Sequence, residues 1–104
     1  MIDKVYKFGG ASVKDADAVR NLAKIVDNHK NEHILLVVSA MGKTTNMLEK
    51  ALAAYRDGAA AITDNPLKTV KDYHYFILSD LFNSRHKVFD KVKALFDELE
   101  QQLG

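Results

Sequence analysis

Residues 33–39, HILLVVS, hold five consecutive aliphatic side chains with no alternation between polar and apolar positions. A strand with one face in water alternates. An unbroken apolar run reads as a strand buried on both faces, and such strands lie in parallel sheets covered by helices. This stretch constrains the fold most, because it needs a strand on each side and helices above and below. The segment KVYKF at 4–8 reads as a partner strand that ends at Gly9-Gly10. Between the two, Ser12 and Asp15 fit a capping box, and Val19, Leu22, Ala23 and Val26 recur at helical spacing. That helix is predicted to fade over 28–31. Strand, helix, strand over about 35 residues is a βαβ unit, expected to be right-handed.

The rest of the chain reads as helical. Asn46 and Glu49 are predicted to cap a helix whose apolar face carries Met47, Leu48, Ala51, Leu52 and Tyr55. Asp57-Gly58 is a stop signal, and the apolar run 59–62 either extends that helix or belongs to a loop. Asn65-Pro66 is a start signal, with Asn as N-cap and Pro at the first helical position. Leu67, Val70, Tyr73, Ile77 and Leu81 mark the next helix, its stripe widened by Phe76 and Phe82. Ser84 is predicted to open a last helix with Val88, Val92, Leu95, Phe96, Leu99 and Leu103 on one side. The expected fold class is α/β, with two strands, about four helices and an incomplete sheet. Residues 1–57 form a βαβα part holding both candidate ligand loops, and residues 58–104 form a helical segment.

Charge and composition narrow the function. Fifteen basic and fourteen acidic residues leave a net charge of +1, which gives no basic surface for nucleic acid or acidic membranes. There is no cysteine, so no disulfide framework and no thiolate metal site is expected. No apolar run approaches the ~20 residues of a membrane span, and no signal peptide is visible. A cytoplasmic location is expected. Four histidines, at 29, 33, 74 and 86, lack the i, i+4 pairing of a helical metal site, so no protein metal site is expected. Tyr73, Tyr75 and Phe76 have no basic groove beside them and read as core.

Chemistry concentrates in two loops that follow the two strands. In KFGGASV, residues 7–13, a strand runs into Gly-Gly and then a helix. Glycine lets the backbone approach an anion closely, and successive N–H groups can cradle phosphate. Lys7 adds a mobile positive charge. A plain turn with a capping serine and a solvated lysine accounts for the same residues. The second loop, SAMGKTTNML at 39–48, repeats the pattern of strand, Gly-containing loop and helix. Two such loops in a parallel sheet lie at the carboxyl ends of their strands, where open α/β sheets bind ligands. Gly42-Lys43-Thr44 is not a P-loop, because the position five residues before Gly42 is Val37. Ser39, Thr44, Thr45 and Asn46 can bind a small polar substrate or simply start a helix.

KFGGASV followed by VVSAMGKTTNML resembles the aspartokinases, within the amino acid kinase family. The specific motifs cover residues 4 to about 55, and the remainder matches only in helical character. Ala11 stands where that family more commonly has Thr, which removes a hydroxyl. The resemblance implies the start of a three-layer, parallel-sheet amino acid kinase fold. It implies that Lys7, Phe8, Gly9 and Gly10 bind ATP, with Lys7 also the catalytic charge on the transferred phosphoryl group. Ser39 and Thr45, with Ser12 beside them, would hold L-aspartate. The implied reaction takes ATP with Mg²⁺ and L-aspartate to 4-phospho-L-aspartate, towards lysine, threonine and methionine. The family's kinase domain is far longer than this chain, so an inactive N-terminal piece of a longer enzyme is expected. Its open sheet edge or helices would favour a homo-oligomer. A non-catalytic assembly module, or an amino acid kinase for another substrate, are the competing readings.

Overall fold

The computed structural model describes residues 1–57 and 66–103. Gly58, the 59–62 run and Asn65, to which stop and start signals are assigned above, lie outside the described residues. Among the described residues there are two strands and four α-helices: β1 (Lys4–Phe8), a 3-10 turn (Gly10–Val13), α1 (Ala16–Asp27), β2 (Ile34–Val38), α2 (Thr44–Arg56), α3 (Pro66–Leu81) and α4 (Val88–Leu103). They form two compact units, Met1–Thr44 and Thr45–Gly104. Helix α2 is therefore grouped with the helical half from its second residue, whereas the sequence reading divides the chain at 57/58.

In the first unit β1 and β2 pair in parallel, in a register that runs from Lys4 opposite Ile34 to Phe8 opposite Val38. Polar contacts lock the start of the pairing. The Asp3 N–H donates to the His33 carbonyl at 2.7 Å, and the His33 N–H donates to Asp3 Oδ2 at 2.9 Å. Tyr6, His29 and Glu32 are linked by 3.1 Å hydrogen bonds, which tie the turn after α1 to β1. Phe8, Val13 and Ala16 are the buried apolar residues of this unit.

The expected capping box is not formed. Ser12 sits inside the 3-10 turn, and α1 begins at Ala16 behind Asp15, whose Oδ1 accepts from the Ala18 N–H at 2.8 Å. Asp outcompetes Ser here because its carboxylate also suits the positive helix end.

The expected burial of HILLVVS on both faces is also corrected. Leu35, Leu36, Val37 and Val38 are 37–49% exposed. Among the described residues the sheet has two strands, so β2 has a strand neighbour there on one side alone. Its composition is that of a central strand, but its surroundings are those of an edge.

The second unit is a small helical core. Ala51, Leu67, Val70 and Phe96 form its buried cluster, with Met47, Leu48, Tyr75, Val92, Leu99 and Leu103 packed around it. Leu67, Val70 and Ile77 follow one stripe of α3, as the spacing predicts. Phe76 and Phe82 do not widen that stripe, and Phe76 is 76% exposed. Residue 76 lies about 100° around the helix from 77, off the packed side. Leu95 likewise turns outward from α4.

Helix α4 starts at Val88, not Ser84. His86 Nδ1 accepts from the Val88 N–H at 3.0 Å, and Asn83 Oδ1 takes the Arg85 N–H at 2.9 Å. Pairing between α3 and α4 is specified by side chains. Tyr75 stacks on Phe89 with planes 4° apart, and His74 meets Phe96 edge-on. The His74 Nδ1–H donates to the Val70 carbonyl at 2.8 Å, which sets its tautomer. Lys71 and Glu100 pair at 2.7 Å, and that hydrogen bond, set against partial desolvation, raises the Lys71 pKa above its ordinary value.

Candidate functional site

The two loops follow from the strand register. Because β1 and β2 are parallel and end opposite each other at Phe8 and Val38, the segments after them leave from the same end of the sheet. Pairing extends one step further, with the Ser39 N–H donating to the Phe8 carbonyl at 2.8 Å. Phe8, Gly9, Gly10 and Ser39 are thereby brought together.

Lys7 is exposed on the penultimate position of β1. Strand alternation sends it to the opposite face from Tyr6 and the buried Phe8. Phe8 contributes no free carbonyl, since Ser39 uses it. Gly9 is extended at φ −76° and ψ 178°, and its carbonyl takes the Ser12 N–H at 3.0 Å to close the 3-10 turn. Gly10 lies against the second loop. A Cβ there would stand 2.7 Å from the Gly42 carbonyl oxygen and 3.3 Å from that of Ala40. Both obstacles are backbone, so only glycine fits without moving a loop. The Gly42 N–H donates to the Gly10 carbonyl at 3.0 Å.

Hydroxyl residues occur in each of the two units. Ser12 and Ser39 are exposed on the two loops. Thr45 is exposed as the second residue of α2, and Asn46 follows it inside the helix rather than capping it. Thr44, counted above among the possible substrate hydroxyls, is removed from that group. It is buried, and its Oγ1–H donates to the Met41 carbonyl at 2.6 Å. It holds the loop's exit into α2 and has no proton left for a ligand.

Gly42 is the residue that the motif reading leaves without a role. It adopts φ +52°, the left-handed region, alone among the described non-glycine and glycine residues at positive φ. A Gly between Met41 and Lys43 is the available sequence signal for that turn.

The loops carry no carboxylate across 7–13 or 39–45, and no cluster of three metal-ligating side chains occurs among the described residues. The arrangement therefore suits an anion carried against backbone amides and the two loop lysines, Lys7 and Lys43. A separate groove of about 540 Å³ lies at the other end of the sheet, lined by Leu22, Val26, His29, Ile34 and Leu36 among others. It is mainly apolar and includes none of the loop residues.

The amino acid kinase family model matches residues 4–97. Aspartokinase 1, chloroplastic, of Arabidopsis thaliana is 35% identical over 103 residues, which cover 95% of this chain and 17% of that protein. Aspartokinase 2 of Bacillus subtilis (strain 168) is 39% identical over 70 residues, covering 65% of this chain and 15% of that protein. A bifunctional aspartokinase/homoserine dehydrogenase of Arabidopsis thaliana is 35% identical over 81 residues, or 8% of its length. The chain thus spans less than one fifth of each of these relatives.

Proposed function

The chain belongs to the amino acid kinase family, and from that premise we propose that it forms the phosphate- and aspartate-binding part of an aspartokinase. The reaction moves the γ-phosphoryl group of ATP to a β-carboxylate oxygen of L-aspartate. A P–O bond to that oxygen forms as the bond to ADP breaks, giving 4-phospho-L-aspartate and ADP. The carboxylate is already a nucleophile, so no general base is needed. What the protein must supply is position and positive charge.

The observation that carries this reading is the meeting of two loops at the carboxyl end of a parallel pair, with an exposed Lys7 beside them. The amides of Gly9 and Gly10 would approach the phosphates, and the Lys7 ammonium would offset charge on the phosphoryl oxygens as it spreads. Ser39 and Thr45, with Ser12 beside them, would hold the amino acid. Mg²⁺ would neutralise phosphate charge and arrive on the nucleotide, since these loops offer it no carboxylate. A cysteine-free chain suits a reducing, cytoplasm-like compartment.

Residues 4–97 of this chain, put in place of the corresponding segment of aspartokinase 1 of Arabidopsis thaliana, which is similar over 95% of this chain, are expected to support acyl phosphate formation. Trapping the product as a hydroxamate measures it. Turnover with L-aspartate and not with L-glutamate supports the reading. A folded chimera without turnover sinks it and brings the assembly-module reading forward. The 104-residue chain alone is expected to give no hydroxamate above background.

The exposed apolar β2 supports a second property, self-association. Sedimentation at rising concentration is expected to show dimers or larger species, and Leu35→Lys to reduce them. A strictly monomeric chain at high concentration would count against it.

A further inference from the structure

We propose that Gly10 and Gly42 form a backbone clasp that sets the distance between the two ligand loops, and that Gly42 is a positioning residue for the phosphate-binding loop. The inference builds on the reading of 7–13 and 39–45 as the phosphate and aspartate loops. It adds that the loops form one mechanical unit.

Three observations carry it. The Gly42 N–H donates to the Gly10 carbonyl at 3.0 Å, one residue beyond the 3-10 turn's own first bond and outside the sheet ladder. The space at the Gly10 α-carbon is filled by the Gly42 and Ala40 carbonyls, so the loops touch backbone to backbone with no side chain between them. Gly42 takes φ +52°, the left-handed region that side chains disfavour, at the same residue whose N–H meets Gly10. On the far side, the Thr44 N–H and Oγ1–H both donate to the Met41 carbonyl, at 3.0 and 2.6 Å. The 39–44 loop is therefore held at both ends, by Phe8 and Gly10 on one side and by its own Thr44 on the other.

A contact between backbones transmits displacement better than one between side chains, which can change rotamer. A phosphate that draws the Gly9 and Gly10 amides towards it would move the Gly10 carbonyl, and with it Gly42. The two substrates would then be positioned against each other by the clasp and not by separate loops.

Amide hydrogen exchange on the 104-residue chain tests the clasp without any ligand. The Gly42 amide is expected to be protected. In Gly10→Ala its exchange should rise about tenfold or more, as loss of a single closing hydrogen bond allows. Resonances of 39–44 should shift while those of α1 stay in place. Gly42→Asn, which tolerates positive φ, should keep the Gly10 side of the contact, whereas Gly42→Val should not. An unprotected Gly42 amide, or Gly10→Ala confined in its effect to residues 9–11, overturns the inference. If Gly10→Ala unfolds the unit, Gly42→Val compared with Gly42→Asn gives the same decision. Hydroxamate formation by the chimera tests the other reading. A folded chimera without turnover counts against the aspartokinase assignment, while the clasp stands or falls on exchange.

Discussion

Replacing Lys7 with alanine is expected to lower kcat for aspartyl phosphate formation by about 10²–10³-fold, in an aspartokinase carrying residues 4–97 of this chain. The side chain is exposed on the penultimate residue of β1, two residues before Gly9-Gly10. Its removal leaves no buried group unpaired, so folding should be unchanged within ~0.5 kcal/mol. The loss should fall on kcat more than on the KM for L-aspartate. Charge on the phosphoryl oxygens is redistributed in the transition state, and the lysine is asked to meet it there. Lys7→Arg keeps the charge but changes its shape and reach, and should recover only part of the activity. A Lys7→Ala enzyme within threefold of the parent kcat would remove Lys7 from the mechanism.

Leu67→Ala is expected to destabilise the helical unit by about 2–5 kcal/mol. Leu67 is 1% exposed in the cluster with Ala51, Val70 and Phe96. A unit of this size has a total stability of only about 3–9 kcal/mol, so the variant should lie near or past its unfolding midpoint at 37 °C. Leu95→Ala removes the same atoms from α4, one residue before the buried Phe96, yet Leu95 is 66% exposed and should cost less than ~0.5 kcal/mol. Urea unfolding of the two variants side by side measures the difference. Equal losses would mean that α4 packs on a different face from the one described.

Much of the architecture is legible from local pattern. β1 occupies the predicted 4–8, β2 falls within the predicted 33–39, and Pro66 opens α3 as its fixed φ requires. These features depend on neighbours a few residues away, and periodicity reports them. The errors have a common origin. Ser12 and Asp15 both look like caps, and only the 3-10 turn between them decides that Asp15 is the one used. Phe76 and Leu95 look like core because they are apolar and adjacent to core positions, but a helix buries a stripe whose edge the sequence does not mark. Thr44 and Thr45 are the same residue type in consecutive places. One is buried with its hydroxyl on Met41 and the other is exposed.

The candidate site divides in the same way. Lys7, Gly9, Gly10 and Ser39 could be named from the chain because strand-ending glycines and polar loop residues carry their chemistry in their type. The contact of Gly10 with Gly42 could not, since it depends on the register that sets Phe8 opposite Val38, and register is a matter of long-range pairing. The exposure of β2 belongs with it. Five aliphatic residues state that the strand prefers burial, but burial is supplied by other elements, and among the described residues a single strand neighbour leaves that preference unmet. Composition and local spacing thus decide what each segment can form and which groups can do chemistry. The folded arrangement decides which of those groups meet, which are already spent on the backbone, and which apolar surface is still open.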